Sequence, residues 1–483
     1  MLLLESMFEV PIARAPVAEL LAAAPPAQRN ALRAVVRRGR RRLKSRRVWH
    51  INSTATGGGV AEMLQSLLGY ERDGGIDARW LVLEGDAPFF ALTKRLHHLL
   101  HGRNGHAHGL SASHAAVYRA TMQRNLRSLG RRVRRGDFVV LHDPQTAGLA
   151  PTLAARGAHV VWRCHIGTDD INAAAREGWA FLQPFLLDAH GWIFSRREYV
   201  PSWVPTDRTY VVPPAIDPRS VKNAPLTRVG AHAILRQIGL LAVDDTRVSR
   251  EAEFTRADGS PARVLRRAAI EQLAQLPGVG TPIIVQVSRW DPLKDMAGVM
   301  LGFAARAPRL HGAHLVLAGP DVRGVSDDPE GASVYADCVA RWKRLPRAAR
   351  SRVHLVSLPM DDAEENAAMV NAIQRHATIL VQKSLREGFG LTVTEAMWKG
   401  RPVVASAVGG IRDQIVDGVH GLLLESPTDR RAFGRTLERL AQDRHLLQRL
   451  GRNARRRVRS RFLGHRRLVQ FLGVFDALGG GPR

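Results

Sequence analysis

The chain has 483 residues, which is too long for one small hydrophobic core and favours two domains. Hydrophobic residues make up 45% and charged residues 24%, as in ordinary globular proteins. No apolar run approaches the ~18 residues that cross a bilayer. The only cysteines, Cys164 and Cys338, exclude a disulfide framework and a CxxC zinc pattern. Because Glu5 and Glu9 interrupt the opening apolar segment, it is a poor signal peptide, and we expect a cytoplasmic protein.

The charge is strongly basic, with a net value of +27 and a pI near 11.4, which is typical of nucleic-acid-binding proteins. Only seven of the 71 basic residues are lysines, and we attribute this arginine bias to overall composition. The runs at 37–42 and 455–457 contain no aromatic residues that could stack on bases. We therefore expect no specific nucleic-acid partner and interpret these runs as solvated surface. Binding to a polyanion or to a membrane surface is the alternative.

The first half of the chain changes texture at Val48. Residues 1–46 are predicted to form a basic helical extension. From Val48, short apolar runs alternate with amphipathic stretches of helix length, the pattern typical of a parallel α/β sheet. Strands are predicted at Val48–Asn52, Arg79–Leu83, Phe138–Leu141, His159–Arg163 and Trp192–Ser195, and helices at Val60–Leu68 and Pro88–His101.

The proline-rich segment Val212–Pro218 marks the end of a first domain, predicted to cover 47–222. Residues 223–279 are charged and weakly patterned, and are predicted to be a linker or insertion. A second alternation covers 280–460, with strands predicted at Ile283–Val287, His314–Ala318, Val353–Leu355, Ile379–Gln382, Pro402–Ala405 and Gly421–Leu424. Residues 461–483 are predicted to be a C-terminal helix, and its return to the N-terminal domain is left open.

This pattern predicts the fold class: α/β, with two doubly wound, Rossmann-like parallel-sheet domains facing a cleft. In such sheets ligands bind at the carboxyl ends of the strands, against the N-termini of helices. We therefore expect the functional residues to lie directly after the predicted strands.

Three glycines, Gly57, Gly58 and Gly59, lie between a predicted strand and a predicted helix. Without side chains, they let backbone N–H groups approach an anion at the positive end of a helix. No Lys-Ser/Thr pair follows, so the segment is not a P-loop. A flexible turn is an equally good interpretation.

Two cations, Arg289 and Lys294, follow the predicted strand Ile283–Val287. At the carboxyl end of a parallel strand they are well placed to hold a diphosphate, with arginine as a bidentate fork and lysine as a point charge. The alternative is two surface cations in a very basic chain.

The sharpest motif is the segment Glu387–Gly400, directly after the predicted strand Ile379–Gln382. Thr392 and Glu395 fit a capping box, which makes Glu395 a candidate cap residue. Gly400 is typical of a helix end.

The start of this segment carries the chemistry. Gly388 and Gly390 expose backbone donors beside the helix start, and Glu387 lies on the loop. A carboxylate there can hold sugar hydroxyls or stabilise positive charge at an anomeric carbon. Because Glu387 and Glu395 share one loop and helix start, they do not resemble the opposed carboxylates of a hydrolase.

Other polar residues follow the strands of the first half, namely Asp86, His142, Asp143 and His165. A lone histidine is more often structural than catalytic. No spacing of His, Cys and Asp indicates a metal site, so none is predicted.

Together these residues resemble the retaining glycosyltransferases of the GT-B fold and the family 4 type, in which an E-x7-E pattern matches Glu387 and Glu395. The first domain is most similar to glycosyltransferring trehalose synthases and their trehalose phosphorylase relatives. The segments that carry the resemblance are Val48–Ala55 with Gly57–Gly59, Glu84–Asp86 with Phe89 and Phe90, His142–Gln145, Arg163–Ile166, Pro213–Pro218 and Gln286–Pro292. One departure is Gly167, where the family pattern leads us to expect an acidic residue.

The resemblance implies an NDP-glucose donor, UDP- or ADP-glucose, held by the second domain. Arg289 and Lys294 would bind its diphosphate, Glu387 the transferred glucose and Glu395 the ribose. The remaining donor-binding residues would be Gly57, Gly58, Gly59, Gly388, Phe389, Gly390 and Leu391.

The resemblance also implies His165 near the sugar, as a fourth catalytic candidate beside Glu387, Arg289 and Lys294, and Asp86 and Asp143 at the acceptor glucose. Front-face transfer with retention would give α,α-trehalose. No cofactor is required on this scheme, and Mg²⁺ as an activator without protein ligands is left open.

The alternatives are a trehalose phosphorylase that uses inorganic phosphate, another family 4 hexosyltransferase, or a polyanion-binding or membrane-surface protein. The expected partners are small sugars and nucleotide-sugars, with no integral membrane association. A homodimer is left open.

Overall fold

The computed structural model describes residues 7–55, 59–103, 109–242, 251–273, 278–322 and 329–479. The chain divides into two compact units. The first contains Met1–Ala215 and Phe462–Arg483, and the second contains Ile216–Arg461. None of the described helices has the length and apolar character needed to span a membrane.

The first unit is built on a seven-stranded sheet in the order β1-β3-β2-β4-β5-β6-β7. Every neighbouring pair is parallel except β1 and β3. All five strands predicted for this half are confirmed, with bounds that differ by at most two residues. The strands are β1 (Phe8–Glu9), β2 (Arg47–Asn52), β3 (Asp77–Val82), β4 (Phe138–His142), β5 (His159–Cys164), β6 (Gly191–Phe194) and β7 (Thr209–Val211).

Helices cover both faces of this sheet. Along β4, Val139 and Leu141 enter one buried cluster while Phe138 and Val140 enter the other, so both faces are apolar. This is the pattern that a buried parallel strand requires. The helices of the unit are Val17–Ala23, Pro26–Arg42, Gly59–Asp73, Ala87–Leu100, Ala112–Leu129, Asp143–Thr146, Ala150–Ala155, Ala173–Leu186 and Gly464–Gly479.

The N-terminal segment is integrated into this unit. Its strand β1 extends the edge of the sheet, and its helix Pro26–Arg42 packs against the C-terminal helix Gly464–Gly479. Gly39 permits the close approach of Leu472, and Arg42 Nη1 lies 3.4 Å from Asp476 Oδ1. The arginine-rich N-terminal segment therefore forms one helix of a packed helix pair.

The second unit also has a seven-stranded sheet, in the order β10-β13-β12-β11-β14-β15-β16, with only the edge pair β10–β13 antiparallel. A separate hairpin pairs β8 with β9. The strands are β8 (Glu253–Thr255), β9 (Pro261–Arg263), β10 (Ala269–Glu271), β11 (Ile283–Val287), β12 (His314–Pro320), β13 (Val353–Leu358), β14 (Ile379–Gln382), β15 (Val403–Ser406) and β16 (Leu422–Leu424).

Where the sequence predicts a linker at 223–279, the described residues form a helix, the hairpin β8–β9 and the edge strand β10. Ion pairs hold the hairpin to the second unit, because Arg256 donates to Asp362 at 2.6 Å and to Glu364 at 2.9 Å. Short strands that are fixed by charged contacts leave little apolar periodicity to detect.

The helices of the second unit are Arg228–Gln237, Met296–Ala304, Pro329–Lys343, Arg347–Arg350, Ala363–His376, Leu391–Trp398, Ile411–Gln414, Arg430–Gln442 and Arg444–Arg461. The fold class is therefore as predicted, with two doubly wound parallel-sheet domains. The adjacency of β11 and β14 brings the loops that follow them together at one edge of the sheet.

Two glycines let the segment after β14 pack closely. Gly400 ends the helix Leu391–Trp398 with a φ of 70°, and Gly451 lies against it on the helix Arg444–Arg461. A Cβ built on Gly451 would lie 2.2 Å from the Gly400 carbonyl oxygen, which is backbone and cannot move aside cheaply.

We expect Gly451→Ala to lower the free energy of unfolding of the second unit by about 1–3 kcal/mol, because overpacking outweighs the better helix propensity of alanine. A Cβ on the helical residue Gly473 meets nothing within 4 Å, so Gly473→Ala is the matched control and is expected to be neutral or slightly stabilising. Urea unfolding followed by circular dichroism measures both. Equal stability of the two variants would contradict the close-packing interpretation.

Candidate active site

The loop after β11 carries the predicted cations. Arg289 is 61% exposed and donates to Asp291 Oδ2 at 3.1 Å. Asp291 in turn accepts from the Leu293 N–H at 2.8 Å and caps the short turn Pro292–Lys294. The guanidinium therefore lies in solvent, where an incoming anion can reach it.

Lys294 and Glu387 form an ion pair that joins the two loops of the site. Lys294 Nζ donates to Glu387 Oε1 at 2.8 Å and to Oε2 at 2.7 Å, and the side chains are only 15% and 11% exposed. Ser384 Oγ donates to Glu387 Oε2 at 3.1 Å. Two residues that the sequence assigned to different parts of a donor are thus held against each other by the neighbouring strands β11 and β14.

Gln286, which the sequence analysis did not single out, fixes the two loops to each other. Its Nε2 donates to the Lys294 carbonyl at 2.7 Å, and its Oε1 accepts from the Lys383 N–H at 3.2 Å. A further backbone hydrogen bond, from Leu385 N–H to the Leu293 carbonyl, is 2.7 Å long. A glutamine inside the apolar strand Ile283–Val287 was the available signal, since a buried amide must find partners.

A second ion pair was also missed. Lys383 is fully buried and pairs with Asp295, which caps the helix Met296–Ala304 by accepting from the Gly298 N–H at 3.1 Å. Asp295 adopts the left-handed region with a φ of 45°. Because a buried lysine requires a carboxylate partner, this pair fixes the start of the helix beside the Lys294 turn.

The glycine-rich turn before the helix Leu391–Trp398 is held by its backbone. Gly390 has a φ of 82°, and the Gly388 carbonyl accepts from the Gly410 N–H at 3.1 Å. Gln414 Nε2 donates to the Phe389 carbonyl and, at 3.3 Å, to the Gly390 carbonyl. These contacts fix the backbone of Gly388 to Leu391, the segment predicted to hold the donor.

The predicted capping box is wrong. The helix begins at Leu391 with Gly390 as its N-cap and no side-chain cap, so Thr392 is already inside the first turn. Thr392 Oγ1 donates instead to Gln382 Oε1 at 2.9 Å. Glu395 is buried, and its Oε2 accepts from Gln374 Nε2 at 3.2 Å.

Glu395 lies in a buried polar network. Lys222 Nζ is 3.9 Å from its Oε1. Lys399 Nζ donates to Gln374 Oε1 at 2.7 Å and to Asn223 Oδ1 at 3.1 Å, and burial lowers the pKa of Lys399 to about 7. The carboxylate of Glu395 therefore has two lysines near it.

In the first unit, three neighbouring strands bring three histidines into one row. His50 Nδ1 lies 3.0 Å from His142 Nε2, and His142 Nδ1 lies 3.1 Å from His165 Nε2. The rings stack with centroids 5.2 and 5.4 Å apart, because β2, β4 and β5 are adjacent parallel strands. The sequence indicated His142 and His165 but not His50, which lies inside a strand.

Burial keeps these imidazoles neutral. It lowers the pKa of His50 to about 3 and the pKa values of His142 and His165 well below their usual range, with the buried cations Arg163 and Arg467 adding to the shift. Each neutral ring can therefore donate a hydrogen bond to one neighbour in the row and accept one from the other.

Glu71 lies at the inner end of this row. Its Oε2 is 3.8 Å from His50 Nε2, and burial raises the pKa of Glu71 to about 8, a shift that Arg467 partly opposes. A protonated carboxyl and a neutral imidazole therefore face each other at neutral pH. The predicted helix Val60–Leu68 ended before this residue, which explains why the sequence did not show it.

Asp143 orients His165. It has a φ of 63°, and its Oδ1 accepts from the His165 N–H at 2.7 Å. Burial raises the pKa of Asp143 to about 7. Two residues after His165, a Cβ at Gly167 would lie 2.1 Å from the Tyr199 ring. An acidic side chain, as in the family pattern, would therefore clash at this position.

Asp86 has a structural contact of its own. It caps the helix Ala87–Leu100 by accepting from the Phe89 N–H at 3.0 Å, and it accepts from Arg124 Nη2 at 2.7 Å. Its role at an acceptor remains a prediction. Of the three predicted loop glycines, Gly57 and Gly58 lie outside the described residues, and Gly59 begins the helix Gly59–Asp73.

Within the part of the chain that the structure describes, no three His, Cys, Asp or Glu side chains are arranged so that they could hold a metal ion together.

Two family models match the chain. The model described as "Trehalose synthase, N-terminal domain" matches residues 50–201, and that described as "Glycosyl transferases group 1" matches residues 275–457. Each falls within one of the two units. With two doubly wound parallel sheets and a family match over each, the protein is a glycosyltransferase of the two-Rossmann type.

A trehalose synthase from Pyrococcus horikoshii is 34% identical over 439 residues, covering 91% of this chain and 92% of its own. The chain therefore belongs to the trehalose synthase family. A trehalose phosphorylase from Pleurotus pulmonarius is 28% identical and covers 86% of this chain but 55% of its own.

Among solved structures, a trehalose-6-phosphate structure from E. coli bound with UDP-2-fluoro glucose has a TM-score of 0.65. It is 14% identical, with 90% of this chain and 100% of that chain covered. At that identity the likeness supports the fold alone.

The buried histidine row predicts that the stability of the first unit depends on pH. His50 has a folded pKa of about 3, below its unfolded value of 6.5, so its contribution is complete above pH 6.5 and is lost as the pH falls toward 3. We expect the stability advantage of the wild type over His50→Gln to shrink by about 2 kcal/mol between pH 7 and pH 4.5. Glu71 and Asp143 titrate in the opposite sense, but they are present in both proteins.

Amide hydrogen exchange of peptides from β2 and β4, at matched chemical exchange rates, measures this difference. His445→Asn, in the second unit, is the control and should leave the exchange of these peptides unchanged. A wild-type advantage that stays constant over the pH range would contradict the assignment of a neutral, buried His50.

Proposed function

We propose that the protein transfers glucose, with retention, from UDP- or ADP-glucose to a second glucose and so makes α,α-trehalose. The observation that carries this proposal is the Lys294–Glu387 pair, at the carboxyl ends of adjacent strands in a member of the trehalose synthase family. A solved fold relative bound with a UDP-glucose analogue supports a nucleotide-sugar donor.

The donor would occupy the loops after β11 and β14. Arg289 is exposed and would approach the diphosphate from solvent, while Lys294 would share its charge between the diphosphate and Glu387. Glu387 would then contact the transferred glucose. The other proposed donor contacts are the backbone of Gly388, Phe389, Gly390 and Leu391, the Glu395 carboxylate at the ribose, and the segment Gly57–Gly59 at the phosphates.

In the reaction, the bond between the anomeric carbon and the diphosphate oxygen breaks, and the leaving diphosphate takes the electron pair. The anomeric hydroxyl of the acceptor forms the new bond on the same face and gives its proton to the leaving phosphate oxygen. The products are the nucleoside diphosphate and trehalose. Arg289 and Lys294 would stabilise charge on the leaving group, and Glu387 positive charge at the anomeric carbon. This scheme uses no protein nucleophile and no protein-bound metal.

We propose that His165 lies near the sugar and that Asp143 and Asp86 contact the acceptor glucose. The hydrogen bond from His165 N–H to Asp143 fixes the turn that presents the histidine, and stacking on His142 fixes its ring. A neutral imidazole in this row can donate or accept a hydrogen bond to a sugar hydroxyl without bringing a charge.

The second candidate is a retaining trehalose phosphorylase, which is favoured by the relative from Pleurotus pulmonarius. Inorganic phosphate would then take the place of the diphosphate at Arg289 and Lys294. Because that relative is much longer than the region matched, the synthase is the better-supported proposal.

Proton NMR of the purified protein with glucose tests the proposal. Separate samples receive UDP-glucose, ADP-glucose or glucose 1-phosphate. We expect a symmetric α,α-linked anomeric signal with a nucleotide-sugar, and a loss of at least 100-fold in rate in Glu387→Gln, which keeps the shape but removes the charge facing Lys294.

The matched control is Glu425→Gln, which removes an exposed carboxylate of the same unit that has no partner among the described residues. It should keep the wild-type rate. Product only with glucose 1-phosphate would favour the phosphorylase. If no product forms in any sample and the donor stays intact, both candidate functions are contradicted.

A further inference from the structure

A cavity of about 1180 Å³ lies in the second unit at the amino ends of its parallel strands. Its lining includes Ile284 and Ile379, near the starts of β11 and β14, and Ala313, directly before β12. Arg289 and Glu387 follow the opposite, carboxyl ends of β11 and β14. A five-residue strand is roughly 15 Å long, so the cavity is separate from the proposed donor loops.

The charge in this cavity is of one sign. No Asp or Glu occurs among the described residues that line the cavity. Four arginines line it, namely Arg228, Arg375, Arg401 and Arg444. Arg375 donates to neutral acceptors, Asn371 Oδ1 at 2.9 Å and the Ala224 carbonyl at 2.7 Å. Arg401 donates to the Arg375 carbonyl, and its buried Nε has no hydrogen-bond partner among the described residues. The arrangement leaves positive charge uncompensated.

The mouth of the cavity adds two unpaired cations. Arg228 and Arg444 are exposed, and neither forms an ion pair or hydrogen bond in the part of the chain that the structure describes. Arg228 is close enough to lower the pKa of Arg401, after the larger effect of burial. Arg228 also begins a ten-residue helix capped by Thr227, whose Oγ1 accepts from the Gly230 N–H at 3.0 Å. The first-turn N–H groups add positive potential.

Three histidines line the cavity, and two of them, His232 and His376, lie against each other. His232 is only 9% exposed and has no hydrogen bond among the described residues, and its ring meets that of His376 edge-on at 5.0 Å. The Nε2 atom of His376 is buried and has no hydrogen-bond partner among the residues that the structure describes. Buried polar atoms of this kind are costly unless a water or a ligand satisfies them.

We propose that this cavity is a second anion site, which binds a phosphate-bearing small molecule of the size of a sugar phosphate or a nucleotide. Arginine forks match the oxygens of a phosphoryl group, and four of them in one cavity exceed the needs of a monovalent ion. The volume is ample for a small molecule, and the partly exposed apolar side chains of Leu226, Val279 and Leu447 offer a surface for the sugar or base. The proposal does not depend on the reaction at the donor loops.

Isothermal titration of the whole protein at constant ionic strength tests the proposal, with glucose 6-phosphate and UDP as the two phosphate probes and glucose as the uncharged probe. The double variant Arg228→Gln/Arg444→Gln changes exposed, unpaired side chains. Arg347→Gln/Arg435→Gln is the control, since it removes two exposed arginines of the same unit that lie outside the cavity. Lys294→Ala serves to impair the donor loops.

We expect at least one phosphate probe to bind the wild type, the control and Lys294→Ala with similar affinity, and the Arg228/Arg444 variant at least tenfold more weakly at an unchanged melting temperature. The probe that behaves in this way identifies the ligand as a sugar phosphate or a nucleotide. If the double variant is unstable, Arg228→Gln alone is compared with Arg347→Gln. Undiminished binding in the Arg228/Arg444 variant, loss in Lys294→Ala instead, or no binding to the wild type would each overturn the proposal.

Discussion

The candidate site of the second unit depends on one ion pair, between Lys294 and Glu387. Both side chains are nearly buried and belong to loops 93 residues apart, so the contact exists only because β11 and β14 are neighbours in the sheet. Removing one partner of such a pair leaves a buried charge and costs about 3–5 kcal/mol. Gln286, near the end of β11, stabilises the pair by forming hydrogen bonds with both loops. A donor that inserts between the cation and the carboxylate would exchange this contact for one with its own charges.

The second unit distributes its cations differently at the two ends of its sheet. At the carboxyl ends, Lys294, Lys383 and Arg289 each face a carboxylate. At the amino ends, Arg228 and Arg444 face none among the described residues. A paired cation keeps a loop in place and still offers charge to a substrate, whereas unpaired cations around a cavity raise its affinity for an anion. The overall charge of +27 conceals this division.

Much of the fold could be predicted, because central parallel strands are continuous apolar runs. Ile283–Val287 and Ile379–Gln382 match the structure at both ends. The edge strands β1, β7 and β10 have two or three residues each and carry no such run. At the candidate site, position after a strand was enough to indicate Lys294 and Glu387, which the structure brings into contact, while the roles predicted for them and for His165 stay predictions. It could not indicate Gln286 or His50, whose partners lie on other elements of the fold. The capping-box pattern suggested a cap role for Glu395, but tertiary contacts bury this residue, and its role at the ribose stays a prediction.

A double-mutant cycle on Lys294→Met and Glu387→Gln, measured as kcat/KM for trehalose formation, tests the central role of the pair most directly. Each single variant should lose at least 100-fold. The double variant should be no less active than the less active single variant, which corresponds to a coupling free energy of more than about 2 kcal/mol. If the losses of the two single variants instead add up in the double variant, the two residues act independently, and the account of a shared site built on one ion pair is contradicted.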